Sequence, residues 1–305
     1  MTITYALELA GRLSFSEDAI AALREAGELL EGSGAVAKMK KALAAFYRTD
    51  FDFKTIYPYV KEASEKSGAN EYTLWGLFLL MAAEPAEKTY EIRGISKKVF
   101  LDTFEDLWYK MIECKNTKGV WGNFVFWWYP IFYRLTIYKL GRLEYELHPY
   151  PGKEPYIWSD GERTIEVKPG DKVCSIHIPF SKEPFDEAAR LASYQAAQDF
   201  FGPDRPFIAF CDSWLLYPPM KSAWPEGGST LSFNGDFDII DSSEGDNSKP
   251  TWRIFFAAAE GPVEDLPEDT RMQRGLKKYY LSGGKNGEGF GVLIFDKGKI
   301  LNKKA

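Results

Sequence analysis

The sequence predicts an α+β protein, with a helical N-terminal domain followed by a mixed β-sheet flanked by helices. Before about residue 115 the apolar residues recur every three or four positions, which is the spacing of one helix face. After residue 138 apolar and polar residues alternate, which is typical of half-buried strands. The polar stretch KNTKG (115–119) separates the two patterns. We therefore expect a helical domain over residues 1–118 and a sheet domain over residues 119–305.

The N-terminal helices are predicted from capping residues that precede apolar repeats. Ser14 and Glu17 have the spacing of a capping box at the start of one helix. Asn70 and Ser96 are the expected N-caps of two later helices. No period-two run interrupts residues 16–112, so we expect no strand within them.

The second half of the chain predicts strands mixed with helices. In GRLEYEL (141–147), the leucines and Tyr145 face one way and the glutamates face the other. RTIEV (163–167) and KVCSIHI (172–178) are joined by the turn signal KPGD and predict a β-hairpin. The acidic stretch GDFDIIDSSEGDN (235–247) misses the calcium-loop spacing and predicts a solvated turn. The remaining predictions are a helix over 185–201, strands over 206–219 and 252–259, a helix near 270–281 and a strand over 289–295.

Composition excludes several classes of function. Acidic residues outnumber basic ones in both parts, 18 to 16 over 1–119 and 26 to 22 over 120–305, so we expect no nucleic-acid partner. Three cysteines in no metal-ligand spacing indicate reduced thiols, without a disulfide framework or a metal site. The N-terminus lacks a signal-peptide pattern, and the apolar run within 123–138 is too short to cross a membrane. We therefore expect a cytoplasmic protein in which that run forms a buried helix.

Several stretches carry a more specific likeness. They are YEIRGISKKVFLDTFEDL, YKLGRLEYEL, VCSIHIP with FDEAARLASYQAAQDFF, CDSWLLYP and LPEDTRMQRGLKKYYLSGGKNGEGFG. From about Tyr90 onward, the chain resembles a bacterial two-domain acyltransferase family with a helical N-terminal domain and a GNAT-like C-terminal N-acyltransferase domain. The resemblance implies a GNAT-like sheet in which acyl-CoA, acetyl-CoA first of all, donates its acyl group to the amine of a small molecule or peptide. It also implies an acyl-CoA cleft between the strands at 172–178 and 207–216.

The edges of this expected cleft supply the candidate CoA-binding residues, which are Ile178, Phe180, Ser181, Lys182 and Ser213. GNAT proteins hold the CoA pyrophosphate on a glycine-rich loop at the start of the next helix, whereas this chain has no glycine between Gly170 and Gly202. Asp186 and Glu187 occupy that helix start, where their charge would oppose a phosphate. The alternative hypothesis is therefore a non-catalytic GNAT-like module that binds another ligand or a protein.

The candidate catalytic base is His177, one of two histidines in the chain. On a strand, Ser175 and His177 share a face that Cys174 does not, which excludes a dyad between Cys174 and His177. In amide formation the incoming ammonium must lose a proton, and an imidazole is suited to accept it near neutral pH. The opposing interpretation is a core histidine that hydrogen-bonds to a carbonyl group or to Asp212.

The other candidates lie on neighbouring predicted strands. Asp212 and Tyr217 complete the candidate catalytic set, with Tyr217 as a proton donor to the leaving thiolate or as a packing residue. Glu144, on the acidic strand face, and Trp214 are the candidates for acceptor binding, although such a row is often solvated. A hydrolase that uses Cys211 is a third hypothesis, but local spacing puts no histidine beside this thiol.

Overall fold

The computed structural model describes residues 2–245 and 250–303. The chain separates into two compact units, Met1–Tyr138 and Lys139–Ala305. The domain boundary expected after residue 118 stays a prediction. Within the described residues, no helix is both long enough and apolar enough to cross a membrane.

The first unit is helical, which confirms the predicted fold class for this part of the chain. Among the described residues between 16 and 112 the backbone forms helices and loops, without a strand. Its helices are α1 (Ile3–Arg12), α2 (Glu17–Gly32), α3 (Val36–Arg48), α4 (Phe53–Ser67), α5 (Glu71–Ile92), α6 (Lys97–Phe104), α7 (Asp106–Lys118) and α8 (Pro130–Tyr133).

Two of the predicted N-caps are confirmed and one is wrong. The Asn70 side chain accepts a hydrogen bond from the Tyr72 amide at 2.9 Å, and Ser96 caps α6 in the same way. The N-cap of α2 is Ser16, whereas Ser14 lies in the preceding turn with φ of +58°. The left-handed backbone at Ser14 ends α1, so the helix start falls two residues later than the capping-box pattern indicated.

The apolar stretch 123–138 does not form the single buried helix that its composition predicted. It forms a 3₁₀ turn over Phe126–Trp128, then the short helix α8 and the beginning of the first strand, β1 (Ile137–Leu140). Pro130 stands at the first position of α8, because a proline lacks the N–H that a continuous helix would need there. The stretch is nevertheless well packed, since Tyr129 and Phe132 have no exposed surface.

The second unit contains a mixed sheet with helices, which confirms the predicted fold class for this part of the chain. In the main sheet the strand order is β1-β2-β5-β6-β8-β7, with β9 beside β8, while β3 and β4 form a separate pair. The strands are β1 (Ile137–Leu140), β2 (Leu143–Pro149), β3 (Tyr156–Ser159), β4 (Thr164–Val167), β5 (Lys172–His177), β6 (Phe207–Ser213), β7 (Asp238–Glu244), β8 (Gly287–Asp296) and β9 (Lys299–Ile300). The helices are α9 (Glu187–Phe201), α10 (Ser229–Asn234), α11 (Trp252–Phe255) and α12 (Arg271–Leu281).

Three predicted elements of this unit are wrong. The strands at 163–167 and 172–178 do not form a hairpin, because β4 pairs with β3 and β5 pairs with β2. In the acidic stretch 235–247, Asp238–Glu244 is the edge strand β7 rather than a turn, and Asp246 and Asn247 lie outside the described residues. The apolar stretch 252–259 forms α11 and a 3₁₀ segment instead of a strand.

The antiparallel pairing of β2 with β5 determines which side chains share a face of the sheet. Glu144 lies opposite His177, and Glu146 lies opposite Ser175. The other face of β2 packs against α9, where the hydroxyl of Tyr145 lies 2.8 Å from Oγ of Ser193. The acidic row of β2 and the histidine of β5 therefore lie on one face, opposite the helix α9.

Candidate active site

His177 lies at the carboxyl end of β5, where its side chain meets a carboxylate of β2. Its Nε2 is 3.0 Å from Oε2 of Glu146, and the two side chains are 26% and 15% exposed. Because an ionised carboxylate can only accept a hydrogen bond, the ring donates from Nε2 when Glu146 is ionised. A half-buried imidazole held in one tautomer by a carboxylate can accept a proton and then be stabilised as an imidazolium.

The acidic row on β2 is not the solvated strip that its composition suggested. Glu144 is 2% exposed and lies directly opposite His177 in the strand pairing. Ser175, on the same face, is 7% exposed. The histidine thus lies among buried polar side chains of its own sheet face, in surroundings where electrostatic effects are stronger than in water.

The two central parallel strands separate beside His177. Among the described residues, β5 and β6 pair only at Cys174 with Ala209 and at Ser175 with Phe210. Both strands then continue, β5 to His177 and β6 to Ser213. Beyond this short pairing, in the part of the chain that the structure describes, the facing edges of β5 and β6 form no ladder with each other. We call this unpaired stretch beside the imidazole, residues 176–177 of β5 and 211–213 of β6, the gap.

The loop that follows β5 is held by two arginines. Arg142 donates from Nη1 to the carbonyl oxygen of Pro179 and from Nε to that of Glu183, each at 3.2 Å. Arg190, which has no exposed surface, donates to the carbonyl oxygen of Phe185 at 3.1 Å. These charge-assisted hydrogen bonds fix the backbone of the loop, although it contains no glycine.

The beginning of α9 is capped by its own acidic residue, as the sequence predicted. The Asp186 side chain accepts a hydrogen bond from the Ala189 amide at 2.8 Å, and Glu187 forms an ion pair with Lys303 at 2.9 Å. The Asp186 carboxylate thus takes the place that a phosphate oxygen has at helix starts that bind anions. The first turn of α9 therefore does not fit a pyrophosphate.

The five candidate CoA-binding residues lie on either side of the gap. Ile178, Phe180, Ser181 and Lys182 follow β5 in the fixed loop, and Ser213 ends β6. The Ser181 hydroxyl donates to Glu183 at 2.9 Å, and the Ser213 side chain accepts from the Leu215 amide at 3.2 Å. Lys182 is an exposed cation of this loop. Their role in CoA binding stays a prediction.

Asp212 lies on the same sheet face as His177 and lines a cavity of about 210 Å³. Asp241 and Glu288 line the same cavity. Asp212 is exposed, but the atoms around it partly desolvate its carboxylate, and this desolvation, followed by the charge of Asp241, raises the pKa of Asp212. Partial desolvation, and then the charge of Asp212, raises the pKa of Glu288. This side of the sheet is therefore a region of concentrated negative charge.

Tyr217 and Trp214 follow β6 and are turned toward other neighbours. A Cβ built on Gly287 of β8 would lie 2.5 Å from Cζ of Tyr217, so the phenol ring packs closely on that glycine. The ring of Trp214 contacts that of Trp224 edge to face, with centroids 5.5 Å apart. Since β8 lies beside β6 on the side away from β5, Tyr217 packs on the far side of β6 from His177.

The three cysteines are buried thiols. Burial raises the pKa of Cys174 to about 12 and also raises the pKa of Cys211. A thiol with a raised pKa is protonated at neutral pH and is a poor nucleophile. This geometry argues against a hydrolase that uses Cys211.

The sequence pattern indicated His177 as a candidate but did not indicate its contact with Glu146. The signal was present, since Glu146 belongs to the acidic row of a predicted strand. The predicted hairpin concealed the contact between Glu146 and His177, because it paired residues 163–167 with β5 at the position that β2 occupies in the structure. A strand pattern identifies which residues share a face, but it does not identify the neighbouring strand.

Two family models match the chain, one in each half. The family described as the GNAT-like C-terminal domain matches residues 137–293. The family described as the N-acyltransferase N-terminal domain matches residues 5–135. No curated protein sequence matches the chain.

Solved structures with the same fold include several acyltransferase complexes. One, an acyltransferase in complex with decanoyl-CoA and teicoplanin, has a TM-score of 0.73 at 19% identity and covers 95% of this chain and 87% of that chain. A second, in complex with CoA and 10C-teicoplanin, has a TM-score of 0.72 at 19% identity, with 94% and 86% covered. A third, in complex with decanoyl-CoA, has a TM-score of 0.61 at 19% identity, with 94% and 98% covered. At this identity the likeness establishes a common fold.

Proposed function

Since the chain belongs to the two-domain acyltransferase family with an N-acyltransferase N-terminal domain and a GNAT-like C-terminal domain, we propose that it transfers an acyl group from acyl-CoA to an amine. The observation that carries this proposal is the gap between β5 and β6 with the His177–Glu146 pair at its edge. A gap between parallel strands exposes backbone N–H and C=O groups that an extended pantetheine arm can pair with. The thioester of an acyl-CoA bound in this gap would lie close to the imidazole of His177.

In the proposed reaction His177 acts as the base. It takes a proton from the acceptor ammonium, and the free amine attacks the thioester carbonyl carbon. The C–S bond then breaks, the nitrogen loses its second proton, which the leaving CoA thiolate takes up, and the acyl group remains on nitrogen as an amide. His177 returns its proton to solvent. Glu146 accepts the Nε2 hydrogen bond throughout, so it orients the ring and stabilises the imidazolium.

The remaining predicted site residues are proposed in supporting roles. Asp212, on the face of His177, and the buried Glu144 supply negative charge toward a cationic acceptor. Tyr217, whose ring packs on Gly287 on the far side of β6 from His177, is proposed in the packing role, and Trp214 is proposed to contact the acceptor. The test for each is the variant without its polar or aromatic group, assayed for kcat and KM separately.

The residues fit the two ends of acyl-CoA differently. The gap beside His177 suits the thioester and the pantetheine arm, whereas the capped start of α9 does not suit the pyrophosphate. We therefore propose that the phosphates lie nearer the exposed Lys182 than the first turn of α9. We propose as acceptor a small molecule or peptide that carries an amine. This proposal is supported by solved acyltransferases of the same fold, whose complexes contain teicoplanin with CoA or decanoyl-CoA.

The decisive experiment measures thiol release from a panel of acyl-CoAs in the presence of a panel of amines. Acetyl-CoA and decanoyl-CoA are the first donors, and mass spectrometry of the acceptor must show the matching amide. A transferase releases CoA only when an amine is present, whereas a binding module releases none. A protein that binds CoA in a thermal-shift assay but acylates no amine would support the binding-module alternative.

A further inference from the structure

Two aromatic side chains, Phe180 and Phe256, meet beside the carboxyl end of β5. Their ring centroids are 5.9 Å apart and their planes cross at 82°, which is an edge-to-face contact. Phe180 follows His177 by three residues, and it is 40% exposed. Phe256 is half-buried, so the pair leaves one aromatic ring, that of Phe180, largely at the surface, and burial in the core does not explain that position.

The exposure of Phe180 is a fixed feature of the molecule. The loop that carries it is anchored at Pro179 and Glu183 by Arg142, and at Phe185 by the buried Arg190. Anchors therefore lie on both sides of Phe180, next to it and three residues beyond. The ring is held at the surface by its backbone, rather than exposed because the loop is loose.

Phe256 is held in a backbone conformation that few side chains adopt. Its φ is +48° and its ψ is −128°, which lies outside the left-handed helical region and in a region that favours glycine. Such strain persists only where the surroundings impose it, and it is concentrated at sites of function. Here the strained backbone presents the ring of Phe256 to Phe180.

We propose that Phe180 and Phe256 form the subsite for the acyl chain and give the protein a preference for donors longer than acetyl. This inference rests on the proposed acyl-CoA function. An acyl group whose carbonyl carbon lies within reach of His177 extends past the end of β5, where the first exposed large apolar side chain is Phe180. Each methylene buried against the pair then strengthens donor binding about fourfold.

The test compares dissociation constants for CoA, acetyl-CoA, hexanoyl-CoA and decanoyl-CoA, all below their micelle concentrations. In the native protein we expect affinity to rise with chain length. Phe180→Ala and Phe256→Ala should weaken decanoyl-CoA binding by about tenfold or more beyond any change in the binding of CoA itself. Phe200→Ala is the matched control, since Phe200 is 37% exposed and also forms an edge-to-face pair, with Phe201.

Phe256→Gly separates the ring from the backbone strain. Glycine adopts the native backbone without strain, so this variant should keep or raise the melting temperature while losing the chain-length preference. If Phe180→Ala keeps the native dependence on chain length, the subsite is disproved while the acyl-CoA function stands. If it weakens all four ligands equally, Phe180 contacts CoA rather than the acyl chain, which also overturns the inference. If the native protein binds none of the four ligands, the proposed function fails, and the subsite fails with it.

Discussion

Two groups of carboxylates lie on one face of the sheet and differ in their neighbours: in one a carboxylate meets an imidazole, and in the other carboxylates lie beside one another. Between β2 and β5, Glu146 meets Nε2 of His177 at 3.0 Å. Between β6, β7 and β8, the carboxylates of Asp212, Asp241 and Glu288 line one cavity. Partial desolvation and the neighbouring negative charges raise the pKa of both Asp212 and Glu288.

The difference shows which of the two groups is suited to move a proton. A carboxylate beside an imidazole stabilises the charge that the ring gains when it accepts a proton. Carboxylates that face one another repel, so their ionised forms are destabilised. The folded protein is therefore less stable at neutral pH than at a pH where these groups are protonated in both the folded and the unfolded state. We therefore assign the proton transfer to the His177–Glu146 pair and an electrostatic role to the Asp212 group.

Among the carboxylates, the largest effect is expected from removing the charge of Glu146. Glu146→Gln keeps the shape of the side chain but no longer stabilises an imidazolium, and its amide can also favour the wrong tautomer. We expect kcat to fall by about 10²-fold with little change in the KM of the donor. Steady-state kinetics with separate kcat and KM values check this. A loss confined to KM would assign Glu146 to substrate binding instead.

A third carboxylate, Asp186, has a neutral partner, the backbone amide of Ala189, and therefore differs from both groups. Asp186→Ala removes the N-cap of α9 and should lower the free energy of unfolding by about 1 kcal/mol, whereas Asp186→Asn keeps the cap and should be nearly neutral. Urea titration of both variants measures the difference. Neither change should alter CoA binding, and tighter binding in both would mean that the pyrophosphate lies at the start of α9, where the Asp186 charge opposes it.

The smallest effect is expected at Asp212, and its sign follows from the raised pKa. The folded protein binds the Asp212 proton more tightly than the unfolded chain does, so stability falls as pH rises through the raised pKa. Asp212→Asn removes that penalty. We expect its melting temperature to exceed the native value by less than about 2 °C at neutral pH, and the difference to vanish below about pH 4.

Melting curves of the native protein and Asp212→Asn at several pH values test this sign. Asp199→Asn is a suitable control, because Asp199 is an exposed carboxylate that accepts a hydrogen bond from Gln195. A lower melting temperature for Asp212→Asn at neutral pH would show that a partner stabilises the Asp212 charge. The Asp212 group would then not differ from the His177–Glu146 pair in the way described above.

Local signals in the sequence predicted much of the fold. The helix α9 follows from its capping residue and the glycine after it, and both α12 and β8 were expected where they lie. Each of these elements is defined by residues close in the chain. His177 was predicted as a candidate for the same reason, since strand alternation fixes its face without knowledge of the neighbouring strand.

The features that escaped prediction depend on pairing between distant segments. The contact of Glu146 with His177 requires β2 beside β5, whereas the turn signal KPGD favoured a local hairpin. The edge strand β7 has an acidic sequence typical of a turn, and it forms because β8 offers a free side for pairing. The apolar stretch 252–259 forms a helical turn and a 3₁₀ segment that meet at Phe256, whose positive φ no local sequence pattern indicates.

The measurement that tests the central claim most directly compares His177→Ala with His148→Ala. Both histidines lie on neighbouring strands, and His148 contacts the Pro149 carbonyl and the ring of Phe210, away from the gap. The account predicts that His177→Ala lowers kcat by about 10²–10⁴-fold with the melting temperature changed by less than about 2 °C, while His148→Ala keeps its activity. If His177→Ala melts much earlier but retains native activity per folded molecule, His177 is a structural residue and the proposed mechanism is contradicted.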